Sequence, residues 1–350
     1  MGIRGDSFLR KRQALWLPVL ILLVAFALRL YRLDFQDIWW DEARNIDVAR
    51  RPLSAIATSP ELDIHPPLYF YLLHGWTRLA GERPFVVRFL STAFGLLTVA
   101  LLYQLGHGIG GRWAGVLAAL VATLAPFAVG EAQETRMYTM AFAWLSLAGW
   151  CLWRALESGG AGEQGSRGAE EQGSRGEFTS APLHRWRGDW GAWAGFALFS
   201  ALSLLTHYST AFVVLAFAVV IGLRWLAAPR EQRRLLLLRA VASGLIIGVL
   251  FLPQAAIAWR QIPGYRNPNL TVPSWWEYLA QCWQAYNVGL NIAPERARVW
   301  LWGIGALFLV GLALAWRHSW KRQEARSRRQ EARGKKQEAR SKKQGTSSKR

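Results

Sequence analysis

The sequence has few cysteines and no nucleotide-binding signature. Cys151 and Cys282 are the two cysteines in 350 residues and are not in a CxxC pair, so neither a disulfide framework nor a thiolate metal site is indicated. No P-loop pattern occurs, which argues against an ATP-driven pump. Residues 106–111 match GxGxxG in letters, but they lie between two apolar runs rather than in a βαβ unit, so we reject a dinucleotide site.

Long apolar blocks dominate what is present. Hydrophobic residues make up 52% of the chain, with 20 tryptophans, and they form continuous runs rather than amphipathic stripes. Runs of this kind predict membrane spans instead of a soluble core. We expect an all-α polytopic membrane protein of about eight spans, over residues 14–28, 85–105, 113–129, 139–153, 190–205, 211–226, 240–259 and 299–316.

The distribution of charge predicts how the chain is oriented. Lys and Arg number 42 against 23 acids, but the basic residues lie mainly between spans and in the tail, so the net charge of +19 does not indicate nucleic-acid binding. A basic N-terminal cluster and the basic residues of 224–239 predict that both termini are cytoplasmic in the cell membrane. The first apolar block lacks a small-residue cleavage site, which indicates a retained anchor.

One low-complexity segment interrupts the predicted transmembrane domain, residues 1–316, and a second one follows it. Residues 155–188 repeat Gln-Gly-Ser-Arg-Gly and predict a disordered cytoplasmic insert. Residues 317–350 repeat Gln-Glu-Ala-Arg without apolar positions for a coiled-coil seam, so we expect a basic disordered tail. Before the last span, Ser274 and Glu277 form a capping-box pattern that predicts a short Trp-rich interfacial helix.

An acidic pair follows the first span. Asp41 and Glu42 come directly after Trp39 and Trp40, at the predicted membrane–water boundary. Carboxylates at that depth are costly unless they face a polar cavity or meet a partner, so one interpretation is a reaction centre. The other is a pair of solvated acids on a juxtamembrane loop.

Further polar residues are predicted on the same external face. His65 precedes a short apolar run that begins at Pro66 or Pro67 and predicts an interfacial helix. His65 fits either a phosphate or sugar contact or a simple polar cap. Glu134, Arg136 and Tyr138 follow the third span, where Arg136 suits a phosphate partner or a surface turn. His207 lies at a later external joint.

The order of these motifs resembles glycosyltransferase family 39, the protein-mannosyltransferase-like branch of the GT-C fold. The likeness covers about residues 8–316 and rests on the Asp-Glu pair, His-Pro-Pro-Leu-Tyr and Glu-Thr-Arg-Met-Tyr. It implies a GT-C-like bundle and transfer of a monosaccharide from a polyprenyl-phosphate-linked sugar to a glycan, lipid or protein acceptor. It further implies that Asp41 is the catalytic base with Glu42 as its companion, and that Arg136, Tyr138, Glu134, His65 and His207 bind the donor phosphate or substrate.

Three alternatives and one cofactor question stay open at this stage. Family members are usually longer, so the chain is either a short member or an inactive truncated scaffold. A transporter or lipid-sugar flippase would place ionisable residues near the middle of spans, whereas here they collect at span ends. Some relatives bind a divalent metal, but His207 alone indicates no ligand cluster, so we assign no cofactor.

Overall fold

The computed structural model describes residues 3–58, 62, 65–172, 182–264, 271–289, 292–293, 295–306, 308–310 and 313. Within these ranges the chain is helical and has no strand, which confirms the all-α fold class. The helices are α1 (Ile3–Leu30), α2 (Trp40–Arg50), α3 (Leu53–Ile56), α4 (Leu68–Ala80), α5 (Pro84–Gly110), α6 (Arg112–Leu124), α7 (Pro126–Ala132), α8 (Tyr138–Gln172), α9 (Pro182–Leu204), α10 (Thr210–Ala227), α11 (Arg230–Gly264) and α12 (Trp275–Asn287).

The described helices include fewer full-length spans than the eight predicted. By length and composition α5, α10 and α11 can cross a membrane, and α6 with α7 adds a fourth if the bent pair is one span. The apolar parts of α1 and α9, Trp16–Leu30 and Trp190–Leu204, are shorter than the roughly 20 residues that a bilayer requires. Predicted spans one to seven nevertheless coincide with helices, whereas residues 299–316 lie partly outside the described residues.

The third predicted span is broken rather than continuous. Helices α6 and α7 meet at an angle of 62°. Ala125, which precedes Pro126, adopts the extended values φ −60° and ψ 118°. The proline ring disfavours helical geometry in the residue before it, so the helix stops there and a new one begins. The break redirects α7 and the loop that follows it.

The glycine-rich stretch between α5 and α6 serves packing more than turning. The sequence predicts a tight turn over 106–111, but α5 continues to Gly110, and Gly111 makes the turn with φ of 83°. A Cβ on Gly106 would lie 2.8 Å from the carbonyl oxygen of Ala114. Glycine therefore allows the two helices to approach at backbone distance.

The segment between α1 and α5 folds into short helices, as expected. Helix α4 begins directly after Pro67, which confirms the predicted start. Tyr69, Phe70 and Leu73 of α4 are buried in one cluster with Val48 of α2 and Met137 at the entry to α8. This apolar cluster holds α2 close to the loop between α7 and α8. The acids at positions 61 and 63 lie outside the described residues.

The remaining predictions concern the low-complexity insert, the basic tail and the Trp-rich helix before the last span. The chain divides into two compact units, residues 1–275 and 276–350. In the second, the ring centroids of Trp283 and Phe308 are 6.2 Å apart. Helix α12, which starts at Trp275, matches the helix predicted from the capping box. Helix α8 extends through Gln172, so the first half of the predicted disordered insert is helical. The predicted tail, 317–350, lies outside the described residues.

Candidate active site

The two acids of the Asp-Glu pair lie in different environments. Both are in the first turn of α2, where neighbouring side chains point about 100° apart around the helix. The side chain of Asp41 is 34% exposed, whereas that of Glu42 is fully buried. Asp41 is therefore the member of the pair that a substrate can reach.

Glu42 is bound inside the protein by Arg88 of α5. The Nη2 and Nε atoms of Arg88 donate hydrogen bonds of 2.6 and 2.9 Å to the two carboxylate oxygens. Arg88 also donates to the backbone carbonyls of Leu33, Gln36 and Asp37, in the segment that leads into α2. Burial acts to raise the pKa of Glu42, but the hydrogen bonds from Arg88 and Thr135 outweigh it and lower that pKa. The carboxyl group is held ionised.

The loop between α7 and α8 is tied to the surrounding helices through its backbone. The N–H of Thr135 donates to Glu42, and its carbonyl oxygen accepts from the side-chain amide of Asn45, each at 2.8 Å. The carbonyl oxygen of Arg136 accepts from Ser91 at 3.0 Å. The side-chain amide of Gln133 donates to carbonyl oxygens at the end of α1. Arg136 therefore extends from a loop that is fixed on both sides.

Arg136 makes an ion pair with Asp41. Its Nη1 contacts Oδ2 of Asp41, and its Nη2 donates a 2.7 Å hydrogen bond to the hydroxyl of Tyr138. The guanidinium carbon lies 4.9 Å from the ring centroid of Tyr138 and 5.5 Å from that of Trp39. The buried Nε has no hydrogen-bond partner. The cation lies over two aromatic rings and keeps a free donor.

Two histidines complete the same cluster. The ring centroid of His207 lies 5.2 Å from that of His65 and 5.4 Å from that of Tyr138. Burial lowers the pKa of His65 to about 3, and the charges of His207, Arg136 and Arg44 act in the same direction. Burial and Arg136 also lower the pKa of His207. Both imidazoles are neutral near neutral pH, which suits them to hydrogen-bond hydroxyl groups.

Glu134 is half-buried in the same loop. Burial raises its pKa, although the charge of Arg136 opposes that effect. The charges of Asp41 and Glu42 act on it as well, so it lies within electrostatic range of the pair. Within the described residues no group of three or more His, Cys, Asp or Glu side chains could hold a metal ion.

The structure thus brings together Asp41, Arg136, Tyr138, His65 and His207, and separates Glu42 from them. Sequence reasoning missed Arg88 and Asn45, which position the acids and the loop. A signal for Arg88 was present, because an arginine within an apolar span requires a partner. Asn45 had no such signal, since its role depends on a contact with a residue 90 positions away.

Comparison with known proteins supports a family and a fold. A family model described as dolichyl-phosphate-mannose-protein mannosyltransferase matches residues 64–163. No curated protein sequence matches significantly. Among solved structures, the protein O-mannosyltransferase Pmt1–Pmt2 complex of S. cerevisiae, bound to its sugar donor, aligns with a TM-score of 0.50 and 13% identity. The alignment covers 71% of this chain and 34% of the yeast chain.

Two more distant structures were also found. ArnT from Cupriavidus metallidurans aligns with a TM-score of 0.45 and 14% identity, over 73% of this chain and 44% of that one. The oligosaccharyltransferase AglB from Archaeoglobus fulgidus, in complex with an inhibitory peptide and a dolichol-phosphate, aligns with a TM-score of 0.47 and 15% identity. The alignment covers 87% of this chain and 37% of that one. This chain spans less than half the length of each of these proteins. The chain therefore shares the fold of the yeast complex, and its residues 64–163 are similar to the mannosyltransferase family model.

Proposed function

We propose that this protein is a membrane glycosyltransferase that moves a monosaccharide from a polyprenyl-phosphate donor to an acceptor hydroxyl at the external face. The observation that carries the proposal is the ion pair between Asp41 and Arg136. In this pair, a carboxylate that a substrate can reach lies beside a cation that can bind a phosphate, at the end of the membrane-spanning region. The family match and the GT-C-like fold support the same reaction class.

The chemistry requires one base and one group that stabilises the leaving phosphate. The acceptor oxygen forms a bond to the anomeric carbon of the sugar, and the bond from that carbon to the phosphate oxygen breaks with its electron pair on the phosphate. Asp41 takes the proton of the acceptor hydroxyl. Arg136 stabilises the charge of the phosphate through charge-assisted hydrogen bonds.

The ion pair also implies an order of events. While Arg136 contacts Asp41, the guanidinium occupies Oδ2 of the carboxylate. A donor phosphate that draws Arg136 away leaves Asp41 free to accept a proton. The unpartnered Nε of Arg136 offers the phosphate a first contact before the pair separates.

Glu42 has a positioning role in this scheme. Its two oxygens are occupied by Arg88 and Thr135, so they are not available to a substrate. Through these bonds Glu42 fixes α2, which carries Asp41, against the loop that carries Arg136. His65, His207, Tyr138 and Glu134 surround the pair and would contact the phosphate or the sugar.

The experiment measures lipid binding and sugar transfer separately in nanodiscs. Asp41→Asn keeps the size of the side chain but removes its basicity, so transfer should fall by about 10²-fold to 10⁴-fold while donor binding survives. Arg136→Ala should weaken donor binding. Asp47→Asn, an exposed acid of the same helix that pairs with Arg51, is the matched control. Transfer by Asp41→Asn at the unmodified rate would exclude Asp41 as the base.

A lipid-sugar flippase is the second candidate, favoured by one observation. The helices α6 and α7 are bent by 62° at their junction, and transporters use interrupted helices near their binding sites. A flippase would move the lipid-linked sugar across the bilayer without cleaving its phosphate–sugar bond. Release of free polyprenyl phosphate in the presence of an acceptor is expected of a glycosyltransferase and not of a flippase. An inactive scaffold would bind neither polyprenyl phosphate nor the lipid-linked sugar.

A further inference from the structure

Glu131, near the end of α7, is a carboxyl group that the proposed mechanism does not use. It lies on the segment that the break at Pro126 redirects. Its Oε2 is buried and has no hydrogen-bond partner. Neither an ion pair nor a hydrogen bond joins it to another described residue. Burying a carboxyl oxygen without a hydrogen bond is costly, so the Oε2 atom indicates a partner that is not part of the chain.

The position of Glu131 connects it to the site. The charges of Arg136 and Glu134 act on its carboxyl group, and its own charge acts on the hydroxyl of Tyr138. It therefore lies within electrostatic range of the residues assigned to the donor phosphate. No ion pair joins it to Arg136, which contacts Asp41 and Tyr138.

Other unpartnered polar atoms occur in the same group of residues. The buried Nδ1 of His65 and the buried Nε of Arg136 have no hydrogen-bond partner. The three atoms differ in chemistry: a carboxylate oxygen accepts, a guanidinium Nε–H donates, and a neutral imidazole does either. A ligand that satisfies all three must both donate and accept hydrogen bonds. A lipid-linked sugar phosphate does both, because its phosphate accepts from the Nε–H of Arg136 and its sugar hydroxyls donate to the carboxyl oxygen of Glu131.

We propose that Glu131 is a sugar-binding residue that accepts a hydrogen bond from a hydroxyl of the monosaccharide carried by the lipid donor. The proposal rests on the proposed function and deepens it, because it divides the site into a phosphate-contacting part at Arg136 and a sugar-contacting part at Glu131. Glu131 lies near the end of α7, five positions before Arg136 in the loop that follows.

The test compares two lipids that differ only in the sugar. Polyprenyl phosphate and polyprenyl-phosphate mannose are titrated separately into the full chain in nanodiscs. Glu131→Ala should weaken binding of the mannose lipid by about 10-fold to 100-fold, the range for leaving a buried polar partner without its hydrogen bond, and leave binding of polyprenyl phosphate unchanged. Glu131→Gln, which can still accept a hydrogen bond, should restore part of the loss. Arg136→Ala should weaken both lipids.

The outcomes separate this inference from the function on which it rests. If the unmodified protein binds neither lipid, the proposed function fails and this inference fails with it. If the unmodified protein binds the mannose lipid more tightly than polyprenyl phosphate and Glu131→Ala keeps that preference, only the role of Glu131 is excluded. Equal weakening of both lipids by Glu131→Ala and Glu131→Gln would assign Glu131 to the fold and overturn the inference. Asp47→Asn again serves as the control.

Discussion

Arg88 and Glu42 form a buried, two-point ion pair that links the second helix of the chain to its fifth. The two hydrogen bonds measure 2.6 and 2.9 Å, and the side chains are 4% and 0% exposed. Each charge is fully surrounded by protein, so the pair is stable only while both partners are present. Because Asp41 precedes Glu42 on α2, the pair also determines where the reachable carboxylate lies.

The first prediction follows from this burial. Glu42→Gln leaves Arg88 charged without its counterion, and should lower the free energy of unfolding by about 3–5 kcal/mol. Glu42→Leu combined with Arg88→Met removes both charges and should be less destabilising than either single change. Arg50→Ala is the control, since its pair with Glu82 is exposed and worth roughly 0–1 kcal/mol. Thermal unfolding in detergent gives the measurement. A double variant as unstable as the sum of the singles would contradict the coupling.

The second prediction concerns pH. Burial lowers the pKa of His65 to about 3 from 6.5, so the unfolded chain binds a proton at pH values where the folded one does not. Stability is therefore complete above about pH 6.5 and falls as the pH is lowered towards 3. Between about pH 7.5 and about pH 5, His65 should account for about 2 kcal/mol of that loss. His65→Gln should remove this share, as measured by unfolding at the two pH values. An unchanged pH dependence would show that His65 titrates normally.

The fold was predictable from the sequence where local signals decide it. Pro67 marks the start of α4, and the apolar runs mark the helices. The break at Pro126 also had a local signal, because the residue before a proline avoids helical geometry, but the apolar composition of 113–129 masked it. Span length was harder to predict, since α1 and α9 contain only short apolar parts.

The sequence predicted which residues form the site, but not which role each of the two acids has. Asp41 and Glu42 are adjacent acids, and nothing local distinguishes them. The difference arises from Arg88, which is 46 residues from Glu42 and takes both of its carboxylate oxygens. A tertiary contact of this kind has no periodicity to detect.

The third prediction concerns orientation, which charge distribution alone supports at present. A cysteine at Ser54, exposed in α3, should react with an impermeant thiol reagent added outside intact cells, whereas one at Ser174 should not. The background carries Cys282→Ser, while Cys151 is buried. Labelling of Ser174→Cys in intact cells would reverse the assignment of the external face. The site would then face the cytoplasm, together with its donor.

The last prediction tests how the arginine loop is held. The side-chain amide of Asn45 donates a 2.8 Å hydrogen bond to the carbonyl oxygen of Thr135, the residue before Arg136. Asn45→Ala leaves that buried carbonyl unpartnered, which should cost about 1–3 kcal/mol of stability. Because the loop then has one fixed point fewer, Arg136 should meet the donor phosphate less often in the correct orientation. Affinity for polyprenyl phosphate should therefore fall, by roughly 5-fold if about half of that cost, about 1 kcal/mol, is expressed in binding.

The matched control is Ser146→Ala. Ser146 is equally buried, but its hydroxyl bonds to the carbonyl of Phe142 within its own helix, so its loss removes no contact between helices. Both variants are titrated with polyprenyl phosphate well below their unfolding temperatures, which separates a displaced loop from a partly unfolded protein. If Asn45→Ala unfolds more easily yet binds the lipid as tightly as Ser146→Ala, the loop keeps Arg136 in place without this bond. The contacts of Glu42 with Thr135 and of Ser91 with Arg136 would then be sufficient to hold it.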